Sequence, residues 1–286
     1  MKKILFPLDR KVDNRHTFSY AAKLAKASSA ELIILHAFVF EVDEVINEDK
    51  YKKRLQQRWL EIINEVMKLK SFYISERDKI VGDFKLKFDY HIVFGKLKTE
   101  LFKLLKEEEI DLIVYTLPYE NDKSVELTVD LLKSIFQDSK VPVLVVPEHH
   151  PFVPINKILY SVDFKKNDNS GVLFNYINNV AGCFDAAIHF LYVSSSENDD
   201  SIKNKEDYAH IQHLIKSDGR HSFNIVAGND VAQSIGAYAI ENGINMIAAV
   251  KQNRNFLESL FFESITDRIS FYTREPVLIL HEIQNS

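Results

Sequence analysis

The chain predicts an α/β fold built twice in tandem, each copy a five-stranded parallel sheet with helices on both faces. Three observations carry this reading. The strand Lys3-Ile4-Leu5-Phe6-Pro7-Leu8-Asp9 recurs as Lys157-Ile158-Leu159-Tyr160-Ser161-Val162-Asp163, and Pro142-Val143-Leu144-Val145-Val146 recurs as Pro276-Val277-Leu278-Ile279-Leu280. Apolar strands alternate with helical patterns inside each copy, and a helical crossover returns a chain to run parallel to its previous strand. A proline-rich stretch separates the copies.

In the first copy, strand 3–9 leads into a helix near 14–28, where Phe18, Ala21, Ala22 and Ala25 repeat at helical spacing. Strand 31–37 follows. Tyr51, Leu55, Trp59, Ile62, Val66, Leu69 and Tyr73 then step by three or four, the mark of a long amphipathic helix with one buried face. Strand 86–94, a helix near 97–108, strand 111–116, a helix near 125–138 and strand 143–146 complete the copy. The second copy repeats the order with strands near 157–163, 186–193, 222–227, 245–249 and 277–280.

The spacing of the matches argues for duplication rather than chance. Leu35-His36-Ala37 matches Leu191-Tyr192-Val193 at an offset of 156, near the 154 that separates Lys3 from Lys157. Ile92-Val93-Phe94-Gly95 then matches Ile225-Val226-Ala227-Gly228 at 133, and Asp111-Leu112-Ile113 matches Asn245-Met246-Ile247 at 134. One deletion of about twenty residues after the second strand of the second copy accounts for every pair. The expected domains are 1–148 and 156–286. Between them, 149–155 is the core of a stretch in which Pro147, Pro151 and Pro154 oppose helix and favour an extended linker. Segment 194–207 is polar and reads as a solvated connector.

Composition excludes several classes. With 46% hydrophobic and 27% charged residues, the chain has ample apolar material for a core in each copy. A net charge of −5 with mixed signs provides no field to hold a nucleic-acid backbone. The single Cys183 permits no internal disulfide, consistent with a reducing compartment. The N-terminus reaches Pro7 and Asp9 too early for a signal peptide, and no run approaches the length of a membrane span. The expected location is the cytoplasm.

Taken in order, the strand ending in Asp, the second strand ending in Leu-His-Ala or Leu-Tyr-Val, and the glycine after the third resemble the universal stress protein family. The Asp-Leu-Ile-Val fourth strand and the closing Pro-Val-Leu-Val-Val extend the match over nearly the whole chain, as two domains in tandem. The resemblance implies a flavodoxin-like or adenine-nucleotide hydrolase-like fold and a stress-response role. It also implies an internal pseudo-dimer in which the two domains pair through their last strands.

Nucleotide-binding members of that family carry Gly-x2-Gly-x9-Gly and then Ser or Thr after the fourth strand. Glycine lets backbone approach phosphates, and the next helix offers free N–H groups to the anion. Here the corresponding positions fall on Thr116, Tyr119, Val129 and Asp130 in the first copy, and on Val250, Asn253, Glu263 and Ser264 in the second. Every glycine is gone, in a chain with only 8 glycines in 286 residues. A carboxylate about 4 Å from a phosphate charge would cost on the order of 4 kcal/mol at an effective dielectric near 20. The expectation is a non-enzymatic protein with degenerate nucleotide loops, no cofactor, and a protein or small ligand as its target.

The alternative is an adenine-nucleotide switch or slow ATPase that uses the second copy, with ATP and Mg as cofactors. Lys251, Asn253, Arg254 and Ser264 surround the corresponding loop there, and cations at a helix start hold phosphate without glycines. Lys251 and Arg254 read equally as solvated loop charges. Asp9 and Asp163 close their first strands, where ligands of open α/β sheets bind; each reads also as a cap for the helix that follows. His210 and His213 share a helical face with His221 near, which reads as a surface cluster rather than a metal site for want of a Cys or carboxylate at ligand spacing. His149 and His150 read as solvated linker residues. Cys183 reads as buried filler, and no nucleophile–base order supports catalysis. The expected partners are an unknown protein and a possible second copy of the chain, with neither nucleic acid nor membrane.

Overall fold

The computed structural model describes residues 1–9, 12–39, 48–80, 86–118, 123–164, 170–194, 202, 206–250 and 275–281. The first half runs β1 (Lys3–Pro7), α1 (Arg15–Ala27), β2 (Glu31–Phe38), α2 (Glu48–Ile80), β3 (Phe88–Phe94), α3 (Leu97–Glu107), β4 (Leu112–Leu117), α4 (Lys123–Asp138) and β5 (Val143–Pro147). The second runs β6 (Lys157–Ser161), α5 (Ser170–Phe184), β7 (Ala187–Ser194), α6 (Glu206–Ser217), β8 (Ser222–Ala227), α7 (Val231–Asn242), β9 (Met246–Val250) and β10 (Val277–Leu280). Every strand lies within two residues of where the hydrophobic pattern puts it.

The two predicted sheets are one. Strand order is β3-β2-β1-β4-β5-β10-β9-β6-β7-β8, so each half reads the same way from its outer edge to the middle. Pairing is parallel within each half and antiparallel where β5 meets β10, with Val277 opposite Val145 and Ile279 opposite Val143. Both strands are buried on both faces. An edge of bare N–H and C=O groups on such apolar sequence needs a partner, and each closing strand supplies it to the other.

The two-residue period of the strands makes a core on each face. Ile4, Phe6, Leu144, Leu278 and Tyr160 point to the face covered by α1 and α5; Leu5, Val143, Ile279 and Leu159 point to the face covered by α3, α4 and α7. Each core runs unbroken across the β5–β10 seam. Small residues Ala21, Ala22 and Ala25, all 0% exposed, let α1 lie close on the sheet. Phe6 packs on Phe18 at 5.5 Å between ring centres, and their counterparts Tyr160 and Phe174 do the same at 5.5 Å.

The repeat extends to individual backbone bonds. Asp111 Oδ2 accepts from the Lys2 and Lys3 N–H groups at 2.6 and 2.9 Å, and its counterpart Asn245 Oδ1 accepts from Asn156 and Lys157 at 3.0 and 3.2 Å. The Gly95 N–H reaches the Phe38 carbonyl as the Gly228 N–H reaches that of Ser194, each at 2.8 Å. At Gly228 a Cβ would come 2.1 Å from Ser234 Oγ, so a side chain there would push that hydroxyl off the Asp230 carbonyl to which it donates.

Helices α1, α5 and α7 end alike, each on one left-handed residue: Ser29 (φ 53°), Asp185 (φ 55°) and Gly243 (φ 60°). In each, the N–H of the next residue closes the helix end by reaching back along the chain: Ala30 to Ala25, Ala186 to Ala181, Ile244 to Ala239. Only the third uses the residue that adopts this conformation without a steric cost. Gly243→Ala is expected to lower stability by about 1 kcal/mol and Ser29→Gly to raise it by several tenths. Urea unfolding would measure both, and equal shifts of one sign would contradict the shared geometry.

The linker is strapped to α1. Fully buried Tyr20 donates from Oη to the Pro151 carbonyl and accepts the Val153 N–H, both at 3.3 Å, while its ring meets that of Phe152 at 4.8 Å between centres. Lys23 Nζ lies 3.6 Å above the Phe152 ring. On α5, Tyr176 donates to the Asp111 carbonyl at 3.1 Å and so ties the second half to the first.

Among its described side chains, α2 buries a narrower face than its periodicity predicts, with Val66, Leu69 and Tyr73 lying outside the described side chains. Ile62 packs on Phe38 with Tyr90 and Ile92, and Trp59 meets the Phe38 ring edge-on at 5.3 Å. Tyr51 and Leu55 are half-buried, and Trp59 remains 37% exposed. At 33 residues the helix is about 50 Å long, roughly twice the eight-residue strand β2 beneath it. Length alone prevents the sheet from covering it.

Candidate functional crevice at the strand ends

The carboxyl ends of β1 and β4 face the start of α1, the place where open α/β sheets hold ligands. In the first half this place is tied shut by a buried hydrogen bond. Thr116 Oγ1 donates to Asn14 Oδ1 at 3.0 Å, with Thr116 at 1% and Asn14 at 7% exposure. Asn14 Nδ2 in turn donates to the Asp9 and Val12 carbonyls at 2.5 and 3.0 Å. One side chain thus holds the β1–α1 loop against β4.

The start of α1 is supplied with the protein's own carboxylates. Asp13 Oδ1 accepts from the Arg15 N–H at 3.0 Å, and Glu148 Oε1 accepts from the Asp13 N–H at 2.5 Å. The Arg15 guanidinium beside Asp13 holds that carboxyl below its usual range. Free N–H groups at a helix start attract anions. Two of these donors already have anionic partners.

Asp9 follows β1 and is half-buried, with its main-chain carbonyl in the Asn14 network. Of the first-copy loop positions, Thr116 is the penultimate residue of β4, and Tyr119 lies outside the described residues. Val129 and Asp130 fall in the body of α4, which begins at Lys123, and Asp130 is exposed. The Asp130 carboxylate therefore lies past the first turn of α4. Sequence reasoning does not single out Asn14, Asp13 or Glu148. The Asn-Arg-His run before an apolar helix face is the one local cue, since Asn is a favoured helix entry.

In the second half Asp163 follows β6 and is half-buried, while Phe164 is buried against Tyr192, Tyr208 and Phe223, ring centres 5.1, 6.4 and 5.9 Å away. Val250 closes β9, half-buried. Lys251, Asn253, Arg254, Glu263 and Ser264 lie outside the described residues.

The histidines have separate surroundings. His210 stacks on Phe174 at 5.2 Å, His213 is exposed, and buried His221 accepts the Ile188 N–H on Nδ1 at 3.1 Å. Among the described residues no group of three or more His, Cys, Asp or Glu is placed to hold a metal ion. His150 is not the solvated linker residue the sequence predicts. It packs beside Tyr20, with Nε2 3.6 Å from Glu275 Oε2 across the β5–β10 seam. Cys183 is half-buried rather than fully buried, and burial raises its thiol above the ordinary value. Among the described residues no helix is long and apolar enough to cross a membrane.

A sheet that is parallel within each half, with crossover helices on both faces, defines a flavodoxin-like α/β protein. The model of the universal stress protein family matches residues 1–147, half of the chain, and the protein belongs to that family. A universal stress protein from Archaeoglobus fulgidus has the same fold over 99% of this chain and 97% of its own, with a TM-score of 0.66 at 16% identity. A putative universal stress protein from Pseudomonas aeruginosa follows at 0.54 and 14%, covering 99% and 94%. The cytoplasmic domain of a prokaryotic cation chloride cotransporter reaches 0.57 at 8% identity, over 97% and 94%. No curated protein sequence matches the chain.

Proposed function

We propose that this universal stress protein works in the cytoplasm as a non-enzymatic binding protein whose nucleotide loops have degenerated. Its domains, 1–148 and 156–286 joined by 149–155, act as an internal pseudo-dimer that presents a surface or crevice to a protein or small ligand. The observation that supports this most is the buried Thr116–Asn14 bond, which sets two side chains between the end of β4 and the start of α1. The Asp13 and Glu148 carboxylates at the start of α1 add to it, since a polyphosphate there would have to displace like charge.

The second reading is an ATP·Mg switch or slow ATPase confined to the second domain. The Asp163 position and the cations Lys251 and Arg254 in its sequence favour it. The protein denatured after purification is expected to release no adenine absorbance. Calorimetric titration with ATP and magnesium is expected to give no heat above dilution. Near-stoichiometric adenine nucleotide would overturn the proposal, and binding weakened in both Arg254→Ala and Ser264→Ala would establish the second reading.

A further inference from the structure

Helix α2 is held to the sheet at few points. The shorter α1 buries seven of its 13 residues, from Thr17 to Ala25. Among the described side chains of α2, Ile62 alone is buried, and it rests on Phe38 with Tyr90 and Ile92. His36 stands in the same strip. Strand alternation puts Ile34, His36 and Phe38 on one face of β2, and the register sets them beside Tyr90, Ile92 and Phe94 of β3. On the other side, Phe6 and Leu8 of β1 belong to the core under α1. His36 is thus enclosed by a layer that α2 helps to cover, and neither of its ring nitrogens has a hydrogen-bond partner.

The groups around it give a charged ring no compensation. On β3 the titratable side chain of this face is Tyr90, whose hydroxyl burial pushes up to about 12, while Asp89 and His91 alternate to the opposite face. The buried face of α1 offers the hydroxyls of Thr17 and Tyr20, and Lys23 of that helix lies over Phe152. On α2 the half-buried titratable groups are Tyr51, Arg58 and Glu65, of which Arg58 pairs with Glu61. Burial, and not a charged neighbour, is what lowers the His36 pKa. An imidazolium there has to reach water. Strand β2 is paired on both edges, so the weakly anchored helix is the element that opens at least cost.

We infer that α2 is an acid-released lid: a proton taken up at His36 lifts the helix from β2 and β3 and uncovers the apolar strip Phe38, Tyr90 and Ile92. In the closed form His36 is neutral. In the open form the wetted ring titrates near its ordinary value of about 6.5. The open population is therefore constant above that pH and grows below it, by about tenfold between pH 7.5 and 5.5. The device is independent of whether either half binds nucleotide.

Hydrogen exchange on the full chain, followed by mass spectrometry at both pH values and corrected for the intrinsic pH dependence of amide exchange, tests this. Peptides around Trp59 and Ile62 are expected to lose about tenfold in protection at pH 5.5, while those of β1 and β4 keep theirs. Acrylamide quenching of Trp59, the one tryptophan of the chain, is expected to rise in parallel. His36→Met and His36→Gln, neither of which titrates, abolish the change, and thermal melts check that each folds. Ile62→Ala, which removes the anchor but keeps the histidine, raises α2 exchange at both pH values and preserves the tenfold ratio. Protection of α2 that does not vary with pH overturns the proposal. So does a loss shared by β1 and β4, which would mean that His36 charges only when the whole chain unfolds, or a pH dependence that survives in the His36 variants.

Discussion

Truncation of Tyr20 to alanine is expected to destabilise the protein by about 3–5 kcal/mol, the range for emptying a buried aromatic site. The side chain is fully buried, and it sits where α1, the linker and the β5–β10 seam converge. Burial also raises its hydroxyl pKa, so the group stays protonated and donates to the Pro151 carbonyl. Tyr20→Phe separates the two contributions. It keeps the ring but leaves the Val153 N–H without its acceptor, a loss of about 1–3 kcal/mol where water cannot enter. Urea unfolding of wild type and both variants measures this. A loss under about 1 kcal/mol for Tyr20→Ala would mean that the linker packs adequately without its bolt.

Acid is expected to weaken the fold steeply below about pH 6.5, well above the range where carboxylates titrate. Burial lowers the pKa of His36, His150, His189 and His221, and His16 adds to the effect at His150. In the unfolded chain each returns to about 6.5 and takes up a proton that the folded state resists. The unfolded state then binds more protons, so stability is complete above the unfolded value and is lost as pH falls toward the folded one. Each such histidine contributes a slope of at most about 1.4 kcal/mol per pH unit. Glu275, raised by burial, works the other way at the acid end of the window.

His36 is the sharpest case: it is 0% exposed, and neither ring nitrogen has a hydrogen-bond partner. His36→Met keeps the volume and removes the titration, and is expected to flatten the stability–pH curve below about pH 6.5, by at most one proton. An unchanged curve would show that His36 reaches water or a partner when it charges.

Much of this architecture is legible in the chain because short-range rules govern it. Strand positions follow from apolar runs, and the shared strand order of the two halves follows from matched offsets. The pairs Asp111/Asn245 and Gly95/Gly228, found as sequence matches, make the same bonds in both halves. The crevice is only partly legible. Missing glycines can be counted, but Thr116 and Asn14 are 102 residues apart, and no periodicity links a strand end to a helix entry. The same limit hides Glu148, whose carboxylate meets a backbone donor 135 residues away. Asp130 sits inside α4, as the helix expected near 125–138 already implies.

Residue period and connection length act along the chain, and they suffice to establish which segments are strands, that these run parallel within each half, and that both halves follow one order of strands and helices. They do not establish that the two sheets are one, that Thr116 and Asn14 close the crevice of the first half, or that a stripe of α2 is left bare. Those features belong to the packed molecule. Each depends on which surfaces meet across a hundred residues or more, or on how much of a long helix a short strand can cover.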